Sequence, residues 1–310
     1  MMRRTALAFL ILPSLMSSLA LAQTARAPES VTVTGTKSRE VMRGFVQSFA
    51  APTRLTGKMA RWETGICPVV VGLKAQFTAF IVQRLKQVAA KAGAPVNAHP
   101  SCQTNIEIAF TTAPQALLDH IRDKQPGLLG YYDNTPQRDR LATVTRPIQA
   151  WYTTATQDLN GKVEVDSGKT AGEGLEIWMP CSITPGICLM HLPNARAVAV
   201  TGSRLGDGVR SNLYHVIIVA EPSKLLDYEM GSLADYIAML ALTQITSLDT
   251  CQQLPSIVNM LAAGCERKAS EMTQNDMAYL HGLYKAAPDQ TLGTQQDQMA
   301  FSMEQELKGR

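Results

Sequence analysis

The sequence lacks the local motifs by which many hydrolases and nucleotide-binding proteins are identified. None of its five histidines, His99, His120, His191, His215 and His281, lies three or four residues from another. There is no G-x-S-x-G turn for a serine nucleophile and no G-x-x-x-x-G-K-[ST] phosphate loop. Common hydrolase and nucleotide sites are therefore not indicated by local spacing.

An excess of charge of either sign is also missing. The 310 residues contain 29 Lys and Arg and 26 Asp and Glu, and charged residues make up 18% of the chain. A balance this close to neutral provides no basic surface for nucleic acid or anionic lipid. No stretch after the first 22 residues approaches the ~18 apolar residues of a transmembrane helix, so we expect no stable membrane insertion of the mature chain.

The N-terminus has the pattern of a secretory signal peptide. Arg3 and Arg4 precede an apolar stretch, and Ala20-Leu21-Ala22 matches a small-x-small cleavage site. We therefore predict a signal peptide over 1–22, cut between Ala22 and Gln23, and a single domain over 23–310. An uncleaved membrane anchor is the alternative. A periplasmic or secreted location follows from the first interpretation.

Six cysteines follow the predicted signal, and no two of them form a C-x-x-C pair that would indicate zinc. An even number in an exported chain favours disulfides. Many pairings are compatible with six cysteines, and proximity in the sequence favours three of them: Cys67 with Cys102, Cys181 with Cys188, and Cys251 with Cys265.

Apolar residues recur at helical or alternating spacing along much of the chain. This pattern predicts helices over 38–49 (with Ser38 as N-cap), 76–92, 115–124, 229–244, 255–263, 273–286 and 294–308, and strands over 31–35, 105–110, 147–154, 197–201 and 216–220. The stretch 127–146 is polar, with a loop predicted at 131–134, and 175–190 is predicted to be a loop closed by a disulfide. Strands and helices alternate early and helices dominate late. The predicted fold is therefore α+β, α/β-like in its first half, with a mixed sheet packed by helices and a helical C-terminal portion.

The order of a strand (214–220), a buried helix (229–244), a turn (255–260) and a further helix (272–284) resembles the second half of the metzincin metallopeptidases. In that family the buried helix carries H-E-x-x-H-x-x-G-x-x-H, and a methionine-containing turn lies beneath the zinc ion. The resemblance implies a metzincin-like fold over about seventy residues. It rests on order and spacing, together with a closing helix similar to that of the matrixin group.

The residues at the family's functional positions differ from the motif. The resemblance places the first two histidines at Ala234 and Ala238, the glutamate at Asp235, the third histidine at Gln244 and the methionine at Met260. Alanine has no lone pair to donate to a metal. The resemblance therefore implies a pseudoenzyme that retains the fold and lacks the zinc site, with no cofactor, and with Ala234 and Ala238 on one helix face beneath a cleft.

The mature chain also resembles a group of exported proteobacterial proteins. The residues that carry this resemblance are Arg61-Trp62, Ile66-Cys67-Pro68, Asn105-Ile106 and 233–236. That resemblance implies export and no particular activity. Asp235 is the one candidate catalytic residue. A structural hydrogen bond to a neighbouring strand or to Tyr214 is the alternative role for a carboxylate on so apolar a helix.

Three functional hypotheses follow. The first is a zinc-less, disulfide-stapled protein with a binding or structural role in the cell envelope, with an envelope protein or peptide as candidate partner. The second is a hydrolase or peptidase with an unrecognised site that uses Asp235. The third is an envelope interaction module unrelated to the zinc peptidases.

Overall fold

A mixed five-stranded sheet lies at the centre of the fold. The computed structural model describes residues 36–49, 51–99, 101–158, 160–166, 175–181, 186–192, 209–245 and 248–309. Its strands are β1 (Pro68–Val71), β2 (Ile106–Phe110), β3 (Ile148–Gln157), β4 (Val163–Asp166), β5 (Leu175–Cys181), β6 (Gly186–Leu192) and β7 (Arg210–Ala220). The main sheet has the order β1-β2-β7-β3-β4. Strands β1, β2 and β7 are parallel, β3 is antiparallel to both β7 and β4, and β5 and β6 form a separate antiparallel hairpin.

Seven α-helices surround this sheet in the described part of the chain. They are α1 (Thr36–Phe49), α2 (Ala75–Ala92), α3 (Pro114–Lys124), α4 (Thr135–Leu141), α5 (Met230–Leu242), α6 (Gln274–Lys285) and α7 (Leu292–Lys308). Short 3-10 helices cover Pro126–Leu129, Pro222–Lys224 and Ile257–Met260. The prediction of an α+β fold with a mixed sheet and a helical C-terminal portion is confirmed.

The two faces of the sheet contribute to two separate cores. Along β2 and β7, Ile108 and Ile218 face the larger core, which also contains α1, α2 and α5 to α7. Ala109 and Ile217, the next residues, face a smaller core with α3 and the β5-β6 hairpin. Successive side chains of a strand point to opposite faces, so a strand covered on both faces is apolar throughout. This explains why residues 216–220 form an uninterrupted apolar run.

The loop predicted at 131–134 is confirmed. Two local predictions were wrong, and helix α4 was not predicted. Residues 127–146 contain α4, which Asn134 caps by accepting a hydrogen bond from the Gln137 N–H and which Pro136 helps to begin. Residues 175–190 form the β5-β6 hairpin rather than a loop, because Ile177 and Met190 bury one face against the smaller core. Ser38 lies inside α1 and does not cap it. The predicted strands over 31–35 and 197–201, the signal peptide and its cleavage site lie outside the described residues.

Three disulfides cross-link the chain, and they are the three that sequence proximity favours. Cys67 pairs with Cys102, Cys181 with Cys188 and Cys251 with Cys265. The first fastens the start of β1 to the connection before β2, the second closes the β5-β6 hairpin, and the third closes the loop between α5 and α6. Three such bonds fit an exported protein. Among the described residues, no helix combines the length and the apolar character needed to cross a bilayer.

Candidate functional site

Helix α5 is buried along almost its whole length. Every residue from 232 to 242 is inaccessible to solvent or nearly so. The carbonyls at a helix C-terminus have no partner within the helix and need one from outside. Here Trp62 Nε1 donates to Ala241 O (2.8 Å), Tyr152 Oη to Leu240 O (2.9 Å) and Tyr284 Oη to Leu242 O (3.0 Å), each from a different part of the fold. Three aromatic donors thus fix the C-terminal end of the helix.

The N-terminal half of α5 is fixed by a charged pair. Arg84 on α2 donates from Nε to Asp235 Oδ1 (2.5 Å) and from Nη2 to Oδ2 (2.9 Å), and the Met272 N–H also donates to Oδ2 (2.8 Å). The hydrogen bond to Asp235 raises the pKa of the Arg84 guanidinium, and the nearby charge of Glu271 adds to this effect. The structural role expected for Asp235 is present, but its partners are Arg84 and Met272 rather than a strand or Tyr214.

The two alanines at the metal-ligand positions lie in the larger core. Ala234 and Ala238 are both fully buried. Neither lines the cleft that opens beside Asp235. The cleft beside Asp235 is therefore not the one that the resemblance implies above Ala234 and Ala238. One residue along a helix is a turn of about 100°, so Asp235 reaches a different face from Ala234.

The other two positions implied by the resemblance lie in the connection between α5 and α6, Gln244 near its start and Met260 near its middle. Gln244 follows the end of the helix by two residues, and its Oε1 is buried without a hydrogen-bond partner in the described part of the chain. Met260 is buried at the end of the 3-10 helix Ile257–Met260, which packs against α5. The structure therefore brings Met260 into the same core as Ala234 and Ala238.

A cleft of about 370 Å³ opens between α2 and the start of α5. Ser232 and Asp235 are its buried residues, and Arg84 lies above Asp235 with a third of its side chain exposed. The exposed residues of its lining come from α2, from the start of α5 and from the loop before α6: Phe80, Gln83, Gln87, Glu229, Ser270 and Glu271. This volume lies at the lower end of the range typical of small-molecule sites, so it fits a group the size of one amino-acid residue.

Most polar side chains of the cleft form no hydrogen bond or salt bridge with the residues that the structure describes. Asp235 is neutralised by Arg84, and Ser232 Oγ donates to the Ser270 carbonyl. Among the described residues, Glu229 and Glu271 form no salt bridge, and the amides of Gln83 and Gln87 make no side-chain hydrogen bond. The cleft therefore presents two carboxylates and two amides to solvent around a charge-neutral pair.

Two buried or partly buried histidines, His215 and His281, make contacts outside the cleft. His215 is buried on β7 with Nε2 3.4 Å from Glu107 Oε1. His281 on α6 places Nδ1 2.7 Å from Glu306 Oε2 and Nε2 2.7 Å from the Lys91 carbonyl, so it connects α6 with α7 and with the end of α2. Within the described ranges, no three His, Cys, Asp or Glu side chains are arranged to hold a metal ion.

Sequence reasoning identified Asp235 and missed the residues that surround it. Phe80, Gln83, Arg84 and Gln87 follow the spacing of one helical face, which interrupts the otherwise apolar pattern of α2. This polar stripe was the one signal in the sequence that could have indicated the cleft. Its meaning depends on the packing of α2 against α5, which is a contact between distant parts of the chain.

Comparisons of the chain with protein-family models, with curated proteins and with solved structures found no match. The site is therefore interpreted from its own geometry.

Proposed function

We propose that this chain is an exported, disulfide-stapled binding protein with a metzincin-like frame, whose ligand site is the cleft between α2 and α5. The observation that carries the proposal is the burial and the hydrogen bonding of Asp235. Its side chain is only 2% exposed and accepts three hydrogen bonds, two of them from Arg84. A general base must reach the proton it removes, within hydrogen-bond distance of a substrate. Asp235 instead supports the floor of an open cleft.

Two features support the metzincin-like frame. The chain passes from the central strand β7 into the buried helix α5, then through the 3-10 helix Ile257–Met260 into α6. The 3-10 helix packs against α5 and places Met260 in the same core. In this frame, the side chains at the first two ligand positions are methyl groups in the core. A zinc site of the family's kind has no ligands there.

Blocking the cleft tests the proposed function. A Cβ added at Gly231 meets no atom within 4 Å, so Gly231→Trp extends into open space at the start of α5. We would screen amino-acid derivatives, short peptides and sugars for ligands that raise the melting temperature of the wild-type protein, as a ligand bound only to the folded state must. We expect the stabilisation to be lost in Gly231→Trp. Ser270→Trp, at an exposed lining position in the loop before α6, is the second blocking variant.

Two results would contradict the proposal. One is a ligand that stabilises both blocked variants as strongly as the wild type, which places binding elsewhere. The other is hydrolysis of a peptide, ester or amide by the wild type that either blocking variant removes, since this would make the cleft an active site.

A further inference from the structure

We propose that the cleft between α2 and α5 binds a cationic group, an ammonium or guanidinium at the end of an apolar stem, as in a lysine or arginine side chain. This inference rests on the proposed function, because it names the ligand class of the same site. It starts from the charges of the lining. Arg84 and Asp235 neutralise each other, which leaves the carboxylates of Glu229 and Glu271.

The negative sign is a local property of the cleft. The whole chain carries a formal charge of +3, so an acidic background does not produce it. Among the described residues that line the cleft, Arg84 is the only base, and both of the donors it directs at Asp235 are in use. A ligand with a single positive charge therefore meets two carboxylates that form no salt bridge among the described residues.

The remaining lining matches the other parts of such a ligand. An ammonium group has three hydrogen-bond donors and a guanidinium has five, and neither can accept. The side-chain oxygens of Gln83, Gln87 and Ser270 are acceptors beside the two carboxylates. Phe80 leaves 43% of its surface exposed at the cleft, where its ring can pack on a methylene stem or face a cation. A volume of about 370 Å³ accommodates one such side chain.

The source of the cation is either a residue of a protein or peptide or a free diamine. Four probes distinguish the possibilities by NMR titration at physiological salt. They are N-acetyl-lysine methylamide, its uncharged analogue N-acetyl-norleucine methylamide, the anionic N-acetyl-glutamate methylamide, and 1,5-diaminopentane. We expect the lysine derivative to bind at least about tenfold more tightly than either the norleucine or the glutamate derivative. Only the lysine derivative can form partly exposed ion pairs with Glu229 and Glu271. Weaker binding of the diamine than of the lysine derivative indicates a peptide source, and equal or tighter binding indicates a free diamine.

Charge-neutral variants complete the test. We expect Glu229→Gln and Glu271→Gln each to weaken binding of the lysine derivative about threefold, and the double variant to weaken it about tenfold. Glu266→Gln is the matched control, because it removes the same charge from an exposed residue of the loop before α6 that does not line the cleft. It should bind like the wild type.

The inference is wrong if the lysine derivative binds no better than the norleucine derivative, or if the double variant binds the lysine derivative as the wild type does. Absence of binding by all cationic probes also overturns it. Its failure can be told apart from failure of the proposed function. A neutral or anionic ligand that is lost in Gly231→Trp and retained in the double glutamine variant leaves the cleft as the binding site and rejects only the cationic class.

Discussion

Arg84 and Asp235 join helices α2 and α5 through two parallel hydrogen bonds between a partly exposed guanidinium and a buried carboxylate. Such a bidentate pair fixes distance and orientation together. Asp235, the one candidate catalytic residue in the sequence, is therefore held as a structural anchor. The cleft above it depends on this anchor for its shape.

The pair should contribute measurably to folding. Arg84→Met leaves Asp235 buried with one remaining donor, the Met272 N–H, and we expect a loss of about 2–3 kcal/mol, between the values for exposed and buried pairs. Asp235→Asn with Arg84→Met should lose less than the sum of the single changes. Urea unfolding of the four proteins in a double-mutant cycle measures this coupling. Strictly additive losses would show that the two side chains do not interact.

The aromatic donors at the end of α5 give a second prediction. Tyr152→Phe and Tyr284→Phe each leave a buried carbonyl of the helix without its donor, so each should cost about 1–2 kcal/mol of unfolding free energy. Tyr214→Phe is the control, because Tyr214 is partly exposed on β7 and makes no side-chain hydrogen bond among the described residues. A control variant that loses as much stability as the other two would remove the role assigned to these hydrogen bonds.

Burial of Asp166 predicts a dependence of stability on pH. Burial raises the pKa of its carboxyl above the ordinary value, although hydroxyl donors from Thr154 and Thr156 act in the opposite direction. The folded state thus holds this proton more tightly than the unfolded chain does. The resulting stability is present below the ordinary pKa and is lost as pH rises through the raised one.

The unfolding free energy of the wild type should fall as pH rises from the ordinary to the raised pKa of this carboxyl. We expect this fall to be smaller in Asp166→Asn. The measurement is urea unfolding of wild type and variant from about pH 3 to about pH 7. Asp123→Asn, on the exposed face of α3, is the matched control. A variant whose pH profile runs parallel to that of the wild type would contradict the assignment.

The disulfide between Cys251 and Cys265 should stabilise the loop that joins α5 to α6. It closes a sequence separation of 14 residues, for which the chain-entropy estimate is about 3 kcal/mol. The double change Cys251→Ser and Cys265→Ser should lower the unfolding free energy by about that amount. Thiol titration of the denatured, unreduced wild-type protein should find no free cysteine, and titratable thiols would contradict the pairing.

Much of the fold followed from local patterns, and the failures have physical causes. Helices α2, α5, α6 and α7 were predicted within a few residues, because each has a sustained apolar stripe or a fully apolar core stretch. The β5-β6 hairpin was missed because Pro180, Pro185 and Gly186 obscure its alternation. A short helix such as α4 depends on its cap more than on its pattern.

The site was predictable only in part. Asp235 is conspicuous in the sequence because it is the one charged residue of an apolar helix, and a hydrogen-bonded role followed from burial alone. Its partner Arg84 lies 151 positions away, and the sequence does not encode this pairing locally. The placement of Ala234 in the core rather than beneath the cleft likewise depends on how α5 is rotated against its neighbours.

The central claim is that this frame binds a ligand without a zinc centre at α5. The most direct measurement is the metal content, by mass spectrometry, of protein purified from the cells that produce it and never exposed to chelators. We predict zinc far below stoichiometric amounts, because Ala234 and Ala238 offer no ligand atoms. About one zinc ion per chain would contradict the account, since it would require ligands assembled from distant parts of the chain and would restore a hydrolytic role.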